Sequence, residues 1–166
     1  EFVICNHDKV FWKKSYKLGV SRLYEIFKPN DPLEKEDIEK VETFLEKELT
    51  ELFQELKNNN VTHLIGSSGS FKCFSKVIST RNNLPPEAFY REISHKDLHK
   101  LHADLITMNV FQRISLNGME AMRADMIPMA SVMVNYILNK HSFSQIHVSG
   151  YSLKEGVIEE ILSTLD

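Results

Sequence analysis

The chain alternates between short β-like runs and longer stretches of helical spacing, and the order of these blocks sets the expected architecture. "EFVIC" (1–5) and "VFWKKSYKL" (10–18) are rich in β-branched and aromatic residues. The polar "NHDK" between them predicts a turn and hence an antiparallel hairpin. "GVSRLYEIF" then places apolar residues at 20, 23, 26 and 27, a helical spacing that "KPNDP" stops with two prolines. From 33 to 60, Ile38, Val41, Leu45, Leu49, Leu52, Phe53 and Leu56 recur at steps of three and four. Glu and Lys fill the opposite, solvated face, so one long amphipathic helix is expected there, closed by Asn58–Asn60.

The second half repeats a strand-to-helix pattern twice. Val61 to Ile65 predicts a buried parallel strand, Gly66 to Gly69 a tight turn, and Phe71 to Ile78 the first turns of a helix. "RNNLPPEAF" (81–89) predicts a loop and "YREIS" a short extended piece. "SHKDLHKLHADLI" predicts a helix opened by Ser94, with Asp97 in capping-box position. After a charged turn, an apolar helix runs from about Ile127 to Asn139, with Pro128 acceptable in its first turn. "SQIHVSG" predicts another buried strand, and "SLKEGVIEEILSTL" a closing helix with Ser152 and Glu155 as its capping box. This order implies a single α/β domain: a mixed sheet with an N-terminal antiparallel hairpin and helices on both faces. Both βα turns, after Ile65 and after Val148, point toward one sheet edge, the edge where open α/β sheets bind ligands.

Composition narrows the function classes. With 166 residues, 42% apolar and 26% charged, the chain is long enough to bury one core without a staple. Its net charge of −3 offers no polycation, so no specific nucleic acid is expected. The longest apolar stretch, "MIPMASVMVNYIL", is too short and too polar to span a bilayer, and no membrane partner is expected. Cys5 and Cys73 show no metal-ligand spacing and are expected to be buried, reduced thiols, which fits a cytoplasmic location.

The most suggestive chemistry lies in "GSSGS" at 66–70. A Gly/Ser loop between a strand and a helix exposes unpaired backbone N–H groups at the positive end of the helix dipole, where an anion or a phosphate can sit. The bland alternative is a helix capped by Ser68 or Ser70, with the glycines serving only the turn. The loop lacks the Lys-Ser/Thr ending of a P-loop and the full GxGxxG pattern. His95, His99 and His102 fall at i, i+4 and i+7, a spacing at which two imidazoles can chelate one metal ion. Leu98, Leu101 and Leu105 already define that helix's buried face, so solvated or capping histidines are expected there instead.

"IGSSGSFKCFSKVI", "NGMEAMRADMIPMASVMVNYIL" and "IHVSGYSLKEGVIEEIL", with "EFVI" and "KLGVSRLYEIF", together resemble the second domain of the exopolyphosphatase/guanosine pentaphosphate phosphohydrolase (Ppx/GppA) family. The likeness runs through essentially the whole chain. It implies a ribonuclease-H-like domain of the actin-like ATPase superfamily, in which two such domains enclose a cleft for phosphorylated substrates. It also implies that the chain starts just after that domain's phosphate loop, as the C-terminal half of a two-domain phosphatase. The N-terminal domain of the same protein is the expected partner, and self-association through the edge of "EFVIC" is expected of the half alone.

The resemblance further implies hydrolysis of a terminal phosphoanhydride in polyphosphate or guanosine pentaphosphate, with Mg²⁺ as cofactor. Glu1 matches the acidic residue near the metal and the attacking water. Gly66, Ser67, Ser68, Gly69 and Ser70 match the cleft-facing turn, and Arg123 and Asp125 the Arg-x-Asp element. Arg123 is then a candidate phosphate or nucleotide contact, and the structural alternative is an Arg123–Asp125 or helix-cap pair that only orders the turn. "PMA" at 128–130 and Lys154 depart from the family pattern and leave the choice of substrate open. A non-catalytic phosphate- or nucleotide-sensing module is the rival reading.

Overall fold

The computed structural model describes residues 1–85 and 89–164. The hairpin forms as expected, with β1 (Phe2–Cys5) antiparallel to β2 (Val10–Lys14) and a bulge after Ile4. Asn6 closes it, its side-chain oxygen accepting from the backbone N–H groups of Asp8 and Lys9. Helix α1 covers Val20–Phe27. The long helix expected next is broken into α2 (Lys35–Glu48) and α3 (Thr50–Asn58). The Thr50 hydroxyl donates to the carbonyls of Glu46 and Lys47, and such back-bonding bends helices.

The mixed sheet has the order β3 (His63–Gly66), β5 (Gln145–Ser149), β4 (Tyr90–Ile93). β3 runs parallel to β5, and β4 runs antiparallel to it. The hairpin is a two-stranded sheet of its own, so the antiparallel member of the mixed sheet is "YREI" rather than the N-terminal strands. β3 is an edge strand there, and β1 and β2 each leave one edge unpaired. Because β3 and β5 are parallel, their carboxyl ends meet at one sheet edge, as the sequence pattern requires.

Helices α4 (Ser68–Arg81), α5 (His95–Thr107) and the short α6 (Val110–Ile114) precede the apolar α7 (Ile127–Lys140). A helix apolar on all sides belongs in a core, and α7 serves two. Met129, Val132 and Tyr136 pack with Ile4, Leu23, Leu45 and Leu52 of the hairpin and first three helices. Ile127, Ala130 and Val134 pack with Phe74, Leu101, Ile146 and Val148 of α4, α5 and the inner sheet face.

The outer sheet face is more open at β3, which corrects the expectation of a buried strand there, since Ile65 is 64% exposed; β5 is buried as expected, with Ile146, His147 and Val148 all out of water. On that face His147 is buried between the rings of His63 and Tyr90, at 5.8 and 5.0 Å between centroids. Helix α8 (Leu153–Ser163) carries the expected Ser152–Glu155 capping box but buries none of its residues. No helix among the described residues is long and apolar enough to cross a membrane. Cys73 is buried and Cys5 is exposed, so only one of the two thiols fits the expected burial; a residue on a hairpin's bulged end has no second layer to cover it.

Arg113 is the largest side chain fully out of water. Its guanidinium donates to Asp31 Oδ1 at 2.6 Å and to the carbonyls of Ala124 and Met108, joining the loop before α2 to the segment before α7. Removing one partner of such a buried arrangement leaves the others uncompensated. Arg113→Ala is expected to destabilise the fold by about 3 kcal/mol, read as a lower urea midpoint with an unchanged m-value.

Candidate functional site

The strand-to-helix turn begins where β3 ends. Gly66 pairs with Val148, and a Cβ placed on Gly66 would lie 2.1 Å from the Phe71 ring, so only glycine lets that ring close under the turn. Ser67 is extended and Ser68 takes a positive φ of 68°, the left-handed region uncommon for a side-chain-bearing residue. A left-handed residue followed by helical ones turns successive N–H groups into one concavity, a shape that binds anions.

Helix α4 therefore starts at Ser68, three residues earlier than the apolar spacing indicates. Ser67 holds the N-cap position, yet its side chain makes no capping bond, and the first turn carries no acidic residue. The reading that Ser68 or Ser70 caps the helix is thereby corrected. Among the described residues the first-turn amides have no side-chain acceptor, and they lie at the end of the dipole that attracts negative charge.

A cation lies over this turn. A Cβ on Gly69 would stand 2.2 Å from a terminal nitrogen of Arg123, so the guanidinium rests directly on the glycine backbone. Arg123 Nε donates to Glu120 Oε2 at 2.6 Å, which fixes the orientation of the fork. The expected alternative partner, Asp125, is not the one used. Arg123 and Glu120 are each more than a third exposed, so their pairing orders the side chain and adds little stability.

The segment that carries Arg123 is held along α4 by contacts at helical spacing. Gly69, Cys73 and Lys76 lie on one face of α4. They meet Arg123, Met119 and Gly118 respectively, so the segment runs antiparallel to the helix. Gly118 has a φ of 93°, and a Cβ there would lie 2.8 Å from the Lys76 carbonyl. Cys73 Sγ is 3.5 Å from Met119 Sδ, and burial pushes its thiol pKa up, so it serves as packing. The Glu120–Arg123 spacing and Gly118 were the signals that could have located this arrangement in the sequence.

The other expected site residues make no hydrogen bond or ion pair with this turn among the described residues. Asp125 accepts from the Met126 N–H and lines a cleft of about 100 Å³ with Arg113, Asp31 and Asn30, which contains none of residues 66–70. Glu1 is exposed ahead of β1 and makes no hydrogen bond or ion pair among the described residues. No group of three or more His, Cys, Asp or Glu among the described residues is placed to hold a metal ion.

Each histidine of α5 ties that helix to a neighbouring segment rather than standing free in solvent or capping it. His95 Nε2 reaches the Phe143 carbonyl, His99 Nδ1 the Asn135 amide oxygen and His102 Nδ1 the Ser131 hydroxyl.

Comparison with known proteins places this geometry in a family. The model of the Ppx/GppA phosphatase family matches residues 1–165. The chain belongs to that family. Among solved structures, an exopolyphosphatase from Cytophaga hutchinsonii is similar at 28% identity and a TM-score of 0.92, over 98% of this chain and 53% of that one. A Ppx/GppA family member from Aquifex aeolicus shares the fold at 21% identity and a TM-score of 0.79, over 98% of this chain and 52% of its own. The chain thus spans about half the length of these family structures. A search of curated proteins found no match.

His102 supplies a pH test of the α5–α7 contact. Burial, with a smaller contribution from His99, lowers its pKa to about 4. A base whose folded pKa lies below its unfolded value of 6.5 contributes stability fully above pH 6.5, and that contribution is lost as the pH falls toward 4. Between pH 7 and 4.5 the wild type is expected to lose on the order of 2 kcal/mol more than His102→Gln, measured by chemical denaturation at each pH.

Proposed function

We propose that this chain is one half of a phosphoanhydride hydrolase and supplies the wall of its cleft that holds substrate phosphate. The observation that carries this reading is the Arg123 guanidinium resting on Gly69 above the uncapped amides of α4. A planar cation beside a set of backbone donors at a helix start suits the oxygens of a phosphate group. Family membership gives the phosphate its chemical setting. The substrates are inorganic polyphosphate or guanosine pentaphosphate, which present the same terminal bond.

Water attacks the terminal phosphorus, the bond to the bridging oxygen breaks, and orthophosphate and the shortened chain leave. Arg123 and the amides of Ser68, Gly69 and Ser70 hold negative charge as it shifts toward the bridging oxygen. Glu1, which is exposed ahead of β1, is by the family resemblance the carboxylate this half offers to the attacking water. It also offers one ligand to Mg²⁺, an ion that takes one or two carboxylates and fills the rest of its shell with water and phosphate. When bound, Mg²⁺ would neutralise phosphate charge.

The other half is the N-terminal domain of the same protein. Support comes from α8, whose Leu153, Val157, Ile158, Ile161 and Leu162 are all exposed on a capped helix. A side this apolar marks a protein contact.

The non-catalytic sensing module remains the second reading because residues 66–70 and Arg123 include binders but no free base. Phosphate release decides between them. The full-length protein is expected to liberate orthophosphate from polyphosphate or guanosine pentaphosphate, with kcat falling about 100-fold in Arg123→Gln and also falling in Glu1→Gln. Binding of both substrates with no release by the wild type would establish the sensor. Gly69→Ala, which pushes a methyl into the guanidinium, is expected to weaken phosphate binding about tenfold in calorimetric titration while leaving the circular dichroism spectrum unchanged.

A further inference from the structure

At the sheet edge where β3 and β5 end, two aromatic rings stand in solvent. Phe89 and Tyr151 stack at 5.1 Å between centroids with an interplanar angle of 10°, and they are 62% and 53% exposed. Leaving two large rings in water is unfavourable, and nothing among the described residues covers their outer surfaces fully.

The backbone is arranged to keep them parallel. Gly150 N–H donates to the Phe89 carbonyl at 2.7 Å, and a Cβ on Gly150 would lie 3.0 Å from Phe89 Cα, so glycine allows the two segments to close. Tyr151 N–H donates to Ser149 Oγ at 3.1 Å.

Register places the pair beside the turn described above. Gly66 pairs with Val148 of β5, and Ser149 pairs with Tyr90 of β4. Tyr151 thus emerges one strand away from the Gly66–Ser70 turn and Phe89 two strands away, about 5 and 10 Å across the sheet.

We infer that Phe89 and Tyr151 form a stacking platform for the base of a nucleoside polyphosphate whose phosphates occupy the Gly66–Ser70 turn. Two pre-stacked rings present a flat, rigid apolar surface on which a purine continues the stack, and such contacts read the π-face of a base. Inorganic polyphosphate has nothing to place there. The platform therefore separates the two candidate substrates that the phosphate site alone treats alike. This inference rests on the reading of that turn as the phosphate site.

Calorimetric titration of the protein with guanosine triphosphate and with inorganic tripolyphosphate tests it, since both carry three linked phosphates and only one carries a base. Guanosine triphosphate is expected to bind about tenfold tighter or more, the gain that one stacked base confers. The Phe89→Ala, Tyr151→Ala double variant is expected to bring the two affinities together without changing that for tripolyphosphate, and Tyr151→Phe to keep the wild-type preference. Equal affinities in the wild type would overturn the platform and leave the phosphate site standing. A preference that survives the double variant would overturn it as well, the rings then covering a protein neighbour. Failure of the wild type to bind either compound would overturn both readings.

Discussion

The close approach of residues 118–123 to α4 is the constraint on which the candidate site depends. A helix presents one face at every third or fourth residue, and here that face carries Gly69, Cys73 and Lys76. Small or slender groups at the first two positions let the facing segment lie close. Gly118 takes a left-handed turn that a larger residue would resist, and Arg123 is delivered over the first turn of the helix. The guanidinium is positioned by packing as much as by charge. Its Nε stays with Glu120 while the remaining fork is held over the glycine. Preorganisation of this kind matters because a cation that need not be reoriented spends less of its interaction energy on ordering.

Behind the site stands α7, shared by two cores. One core joins the hairpin to the first three helices, and the other joins the mixed sheet to α4 and α5. Arg113 locks the segment before α7 to the loop before α2, so the two cores meet at a polar clamp as well as along an apolar helix. The α5 histidines fasten α5 to α7 and to the approach of β5 through hydrogen bonds. The elements that carry the turn are thus held from both ends, while the turn itself stays at the surface.

Much of this was legible in the sequence. β-branched and aromatic runs around a polar turn mark the hairpin, apolar spacing and caps mark α5, α7 and α8, and the two βα turns share one edge as the element order implies. The family resemblance, built on several motifs in order, is matched by the family model. What escaped depended on contacts between distant residues or on side-chain competition. The long amphipathic helix divides at Leu49, beside the back-bonded Thr50 hydroxyl, a division that periodicity does not register. β4 (Tyr90–Ile93) matches the expected extended piece, but its antiparallel pairing with residues more than fifty positions away is a partnership no local pattern encodes. Asp125 follows Arg123 by two positions and therefore faces another cleft, and Glu120, three positions before it, shares its side instead. Cys5 follows an apolar run yet sits at a bulge, where alternation no longer says which side is covered. The loop residues 86–88 lie outside the described residues.

The division into two sheets has a mechanical consequence. β1 and β3 both rest on the first core through Ile4 and Leu64, and each keeps a row of main-chain donors and acceptors without a mate. A guest backbone laid along either row would gain a ladder of bonds at little conformational cost to the host. Edges of this kind are where one molecule can be zipped to another polypeptide, and where crowding can make it stick to the wrong one.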